Sequence, residues 1–169
     1  MELKDVLMKR RSVRKFTNEA VSKEHIDELL HAAMSGPSAC NMKPWEFYVV
    51  SNEAKLKELQ SASKFTKMTA PLAIIVCGNL SKALPMQFSE YWIQDCSAAI
   101  ENILLGVTSL GLGAVWCGLH PQKNPVKKVR EILNLDEKIV PLGLIHIGYP
   151  DCDITPRDQY NEKYVHFIE

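Results

Sequence analysis

The stretch from Gln87 to Leu110 constrains the fold most, because it reads as a helix with apolar residues on nearly every face. Phe88, Tyr91, Trp92, Ile93, Ala98, Ala99, Ile100, Ile103, Leu104, Leu105, Val107 and Leu110 leave it no polar side. A helix apolar all round needs protein on all sides. In a chain of 169 residues, a second subunit is one source of that cover. Gly111 and Gly113 read as its terminators, with Ala114 to Gly118 as a short strand behind them.

The remaining elements follow from periodicity and punctuation. Leu3, Val6, Leu7 and Arg10 fall at helical spacing and predict a short opening helix. Ser22 followed by Ile26, Leu29, Leu30, Ala33 and Met34 predicts a capped helix that ends near Gly36-Pro37. WEFYVV from Trp45 and LAIIVC from Leu72 predict strands, with a polar helix near 53–61 between them. Asn124 to Leu133 reads as a helix with Pro125 at its first position, and Pro141 to Tyr149 as the last core strand. The pattern predicts an α+β fold of three layers, with helices on both faces of a sheet. No repeat or linker divides the chain, so residues 1–169 are expected to form one domain.

Charge and cysteine content exclude several functions. Twenty Lys plus Arg balance twenty Asp plus Glu, so no global field favours nucleic acid or an anionic membrane, and any anion site must be local. Cys40, Cys77, Cys96, Cys117 and Cys152 are scattered and lack metal-ligand spacing, which fits a reducing cytoplasm and no metal site. MELKDVLMKRRSVRKF has no apolar h-region, and no segment has the run of about 18 apolar residues that marks a membrane span.

Three local features could carry chemistry. Lys9 to Lys15 (KRRSVRK) puts five cations and a hydroxyl in seven residues, suited to a phosphate and equally to a solvated helix end. Gly36 to Trp45 (GPSACNMKPW) is a stiff polar loop that could present amides to a planar heterocycle, or simply connect two elements. Gly111 to Gly118 (GLGAVWCG) lets backbone approach a ligand closely, or merely ends a helix. Cys117 has apolar flanks that give a nucleophile no activation. Acyl-transfer elbows, Walker loops and zincin motifs are absent.

The order Arg10-Arg11-Ser12-Val13-Arg14, the loop Pro37 to Phe47, Asp95 to Asn102 within the apolar helix, Gly111 to Gly118, and Ile147-Gly148-Tyr149-Pro150 with a trailing Arg157 resembles the nitroreductase family. The resemblance covers essentially the whole chain and its compact branch. It implies a three-layer α/β/α sandwich with a central, mostly antiparallel sheet. It also implies a homodimer that exchanges its C-terminal tails and holds two FMN groups at the interface. By that resemblance Arg10, Arg11, Ser12 and Arg157 meet the FMN phosphate, and Arg14 the pyrimidine edge of the ring. Pro37, Ser38, Ala39 and Asn41 come from the partner subunit, and the Cys117 and Gly118 backbone approaches the flavin N5.

Lys43 departs from the glutamine common at its position, and Lys64 to Lys67 stand where relatives touch the flavin edge. No side chain is expected to be catalytic, since the cofactor carries the hydride. The implied activity is reduction of FMN by NAD(P)H and of a nitroaromatic, quinone or similar acceptor by FMN, in ping-pong turnover. A flavin reductase, a reductive dehalogenase of the same fold, and a flavin-binding module without turnover are the alternatives.

Overall fold

A computed structural model describes residues 1–169. Strands β1 (Trp45–Val50), β2 (Leu72–Asn79), β3 (Gly113–Gly118) and β4 (Ile139–Gly148) form one sheet in the order β1-β2-β4-β3. Every neighbouring pair is antiparallel. The two central strands are almost wholly buried, which is why they read as continuous apolar runs and not as alternating ones.

Five helices complete the layers: α1 (Leu3–Lys9), α2 (Lys23–Met34), α3 (Glu53–Gln60), α4 (Tyr91–Ser109) and α5 (Lys123–Leu133). Leu29 and Ala33 of α2 and Ile100 and Ile103 of α4 pack on Ile74, Ile145 and Ile147 at one sheet face. Leu56 and Leu59 of α3 and Val129 of α5 pack on Ile75, Val115, Cys117 and Leu144 at the other. Side-chain caps fix two helix starts: Ser22 Oγ accepts from the His25 N–H at 3.1 Å, and Asn52 Oδ1 from the Lys55 N–H at 3.0 Å. Such a cap contributes about 1 kcal/mol.

The apolar helix is shorter than its sequence pattern. Pro85 and the left-handed Met86 (φ +55°) interrupt the chain, so Met86–Phe88 forms a separate 3-10 turn and α4 begins at Tyr91. Phe88, expected within the helix, lies outside it and half exposed. Much of the cover for α4 comes from its own chain, because α1, α2 and the sheet all pack against it. Ile93 and Leu105 stay only partly covered.

Three boundaries need correction. Gly111, at φ +74°, ends α4 as expected, but Gly113 opens β3. Its role there is steric: a Cβ would sit 2.8 Å from Val13 Cγ1. Pro125 is the third residue of α5, still in the first turn, where an N–H has no intrahelical partner to lose. β4 starts at Ile139 and carries Pro141 inside it, beside a register shift at Val76/Cys77 that relieves the missing ladder donor.

Both ends of the chain run along the outer edge of β3. Ser12 bridges Ala114, with the Val13 N–H donating to Ala114 O at 2.8 Å, and Phe16 bridges Pro150. The Asp151 N–H donates to Lys15 O at 3.0 Å, and the Arg157 N–H to Met8 O at 2.9 Å. Beyond Arg157 the chain is exposed, with Tyr160, Tyr164, Phe167 and Ile168 open to solvent. No helix is long and apolar enough to cross a membrane.

Candidate functional site

The Ser12–Ala114 bridge lays Arg11 to Lys15 along β3, and the returning tail closes over it. Between them lies a cleft of about 380 Å³ lined by Arg11, Ser12, Arg14, Lys15, Cys152, Asp153 and Thr155, among others. Three cations and two hydroxyls accompany one carboxylate there, so the cleft favours an anion. Arg11 Nη1 donates to Thr155 O at 3.0 Å, and Arg14 Nη1 to Ser12 O at 3.3 Å. These bonds orient the guanidinium groups and leave other N–H donors free.

Arg14 also borders a second cleft of about 300 Å³, with Phe65, Val115, Trp116, Cys117, Gly118 and Gln122. Each volume lies at the lower end of the roughly 300–1,000 Å³ of ligand sites. The second cleft is the more apolar of the two, and a Cβ built on Gly118 meets nothing within 4 Å. An anionic tail in the first and a flat ring in the second would be joined through Arg14. The residues present therefore fit a molecule such as FMN. Burial pushes the Cys117 thiol up to about 11 against the opposing pull of Arg14, so it stays protonated and is no nucleophile. No group of three His, Cys, Asp or Glu could hold a metal ion.

The expected residues do not all converge within one chain. Arg10 turns to α4, where its Nε lies 3.7 Å from Glu101 Oε1. Arg157 reaches the region through its backbone bond to Met8, with its side chain in solvent. Pro37, Ser38, Ala39 and Asn41 lie before β1, at the opposite edge of the sheet. Three strand spacings separate the edges, about 14 Å.

The loop before β1 is tightly held. Cys40, Asn41 and Lys43 all have positive φ, at +49°, +56° and +50°. Each such non-glycine residue costs about 1–2 kcal/mol, least for asparagine. Opposing that strain, buried Asp95 of α4 accepts from the Ala39 N–H at 2.8 Å, and Ser38 Oγ accepts from the Lys43 N–H at 3.0 Å. Two helical turns on, Asn102 Nδ2 donates to Ala32 O at 3.0 Å and fastens the end of α2.

Sequence reasoning gave Trp116 no role as a lining residue, while Lys15 lies in the cationic run and Phe65 in the 64–67 segment that it marked without assigning either residue to the site. Trp116 carried a signal, since one large aromatic between short residues of an edge strand has little core to enter. It lies across Gly143 of β4, where a Cβ would collide with the indole, and stays 37% exposed at the cleft.

The sequence model of the Nitroreductase family matches residues 7–66 and 60–149. A protein of Methanothermobacter thermautotrophicus, provisionally named NADH dehydrogenase/NAD(P)H nitroreductase, is 39% identical over 168 residues, covering 98% of this chain and 86% of its own. The iodotyrosine deiodinase of Thermotoga neapolitana is 26% identical over 193 residues, covering 98% and 97%. Among solved structures, an FMN-dependent nitroreductase from Clostridium difficile R20291 superposes with a TM-score of 0.89 at 32% identity, covering 98% of each chain.

Proposed function

The chain belongs to the nitroreductase family, and from that membership and the two clefts joined at Arg14 we propose an FMN-dependent oxidoreductase that uses NAD(P)H to reduce a small acceptor. The sharing of Arg14 between a cationic cleft and a more apolar one carries this reading. Arg11, Ser12, Arg14 and Lys15 bind the phosphate end through charge-assisted hydrogen bonds. Arg14, which borders both clefts, would also lie near the ring, where its positive charge would favour uptake of electrons. The Cys117 and Gly118 backbone would hold the ring, for which Gly118 leaves room. FMN, when bound, supplies the two-electron chemistry, and no side chain of the chain need react covalently.

The active form is read as a homodimer. Its second copy would bring the partner subunit's Pro37, the partner subunit's Ser38, the partner subunit's Ala39 and the partner subunit's Asn41 to the β3 edge, since each chain holds that loop before β1, at the other edge of the sheet. Exposed tail residues from Tyr160 onward would wrap the other subunit. NAD(P)H and acceptor would enter the same ring-side space in turn, which gives ping-pong kinetics. Five free cysteines suit the reducing cytoplasm.

Purified protein should be yellow and should bleach anaerobically on addition of NADH or NADPH. Stoichiometric FMN that no nicotinamide reduces would leave a binding module. Reductive dehalogenation is the second reading for the acceptor, favoured by the full-length similarity to a deiodinase. Steady-state rates with nitroaromatic, quinone, free flavin and iodotyrosine acceptors separate these activities.

A further inference from the structure

The sheet face beneath the segment 63–68 carries polar groups that the proposed reaction leaves unused. Elsewhere that face is apolar and lies under α3 and α5. Under this segment three polar side chains are sealed from water: Thr66 at 0% exposure, His146 at 1% and Cys117 at 3%. Buried polar groups persist where their hydrogen bonds are made, and all three bond to one short piece of backbone. Cys117 Sγ–H donates to Phe65 O at 3.0 Å, and His146 Nε2 lies 3.2 Å from Thr66 O. A carbonyl only accepts, so Nε2 carries the imidazole proton. Thr66 Oγ1 accepts from the Ser63 N–H at 3.0 Å and faces Ser63 O at 3.0 Å, which tightens the turn.

Each donor remains a neutral donor near neutral pH. Burial pushes the His146 imidazole down to about 4, and the Cys117 thiol up to about 11. His146 Nδ1 is buried without a partner, so one ring nitrogen is left unsatisfied while the other holds Thr66. A leucine at 146 or an alanine at 117 would fill this layer without such a cost; only the hydrogen bonds distinguish the residues present.

The other side of the segment shows what those bonds set. Phe65 is 53% exposed and lines the ring-side cleft together with Gly118, with Lys64 Nζ 4.9 Å from its ring centroid. The residue that grips the Phe65 carbonyl is Cys117, whose own backbone lines the same cleft. We propose that His146 and Cys117 are positioning residues that pin two consecutive carbonyls, Phe65 and Thr66, from below and so set the width of the cleft that receives the flavin ring. This rests on the FMN reading above.

Amide exchange and FMN titration on the full-length protein test it with paired variants. His146→Leu and Cys117→Ala remove the donors; His146→Gln and Cys117→Ser keep one. The Leu and Ala variants should speed amide exchange across 63–68 and move the absorbance bands of bound FMN. Each lost hydrogen bond should also raise the Kd for FMN about tenfold, while the Gln and Ser variants stay within about threefold of wild type. Thermal midpoints of the FMN-free proteins identify any variant that fails to fold, and the two positions then serve as independent trials. Folded His146→Leu and Cys117→Ala with wild-type exchange at 63–68 would overturn the proposal, as would equal Kd and spectra in all four variants. If wild type takes up no FMN, the functional reading fails instead, and the exchange rates alone still decide whether the segment is pinned.

Discussion

The two edges of the sheet are built on opposite plans. At β3 the backbone is ordinary: Ser12 and Phe16 make bridges, the tail returns alongside, and the cations line clefts already present in one chain. At β1 the approach loop holds three left-handed residues and is bound to α4 by Asp95, yet none of its residues lines either cleft. In the proposed homodimer one edge would serve as a receptacle, and the other as an insert shaped in advance at an energetic cost. Backbone strain of that kind persists where surrounding structure over-determines it, and it gathers at ligand contacts. A homodimer in which each insert meets the other chain's receptacle accounts for both plans together.

Acid should separate the edges with the largest effect. His146 lies beneath the β3 side, and burial lowers its folded pKa from 6.5 to about 4. Its neutral form is native, so the stability it supports is complete above pH 6.5 and is lost as pH falls toward 4, by about 3 kcal/mol in all. Glu46 sits on β1, where Asn79 chiefly, and Lys82, hold its carboxyl below the usual 4.5 against a smaller opposing effect of burial. That contribution is complete above 4.5 and is lost only in stronger acid. Urea melts at stepped pH should show the first loss between 6.5 and 4, absent in His146→Gln. A single loss below pH 4.5 would remove the distinction.

Arg14→Ala comes next. The side chain borders both β3 clefts, so its loss should weaken FMN binding roughly 10- to 100-fold, the worth of one charge-assisted hydrogen bond. The thermal midpoint should hold, because Arg14 is exposed and its own bond is a local one to Ser12. Arg10→Ala should cost much less, since Arg10 faces Glu101. Equal losses from both would mean that the clefts do not define the site.

Two glycines of β3 give a smaller and cleaner contrast. Gly113→Ala places a Cβ within 2.8–3.0 Å of Val13 side-chain atoms and should destabilise the fold by about 1–2 kcal/mol, while FMN affinity holds. Gly118→Ala enters open space, so stability should hold and the flavin spectrum should shift. Denaturant midpoints and FMN difference spectra of both variants check the pair.

What the sequence disclosed follows the same division. Ser22, Asn52 and the runs WEFYVV and LAIIVC announce their elements because each rests on neighbours a few residues away. Gly113 was misplaced because its contact with Val13, not local preference, decides its role, and Pro125 because any position of a first helical turn lacks an N–H partner to lose. Arg11, Ser12 and Arg14 were legible as a dense cationic run. Which residue of 64–67 would wall the cleft was not, since the placing of Phe65 depends on Cys117 and His146, 52 and 81 residues further along. Nor could the run reveal that Arg10 turns to Glu101.

Asp95 offers the smallest and most selective effect. Ala39 is half buried, so in Asp95→Ala water can reach part of its freed N–H, and the stability loss should be only about 1 kcal/mol, the low end for an unpaired donor. The loop should then relax from its left-handed turns, since the bond to α4 opposes their strain. Asn102→Ala is the control: it frees the end of α2, at Ala32, and leaves the Ala39 bond intact. If the insert matters to the other chain's receptacle, Asp95→Ala weakens FMN binding in the dimer while Asn102→Ala, at similar stability, does not. Asp95→Asn keeps an acceptor oxygen and should restore binding. Calorimetric titration of FMN into the three variants reads this directly. Equal affinities would show that the strained loop serves only the fold of its own chain, and that the β1 edge has no part in the site.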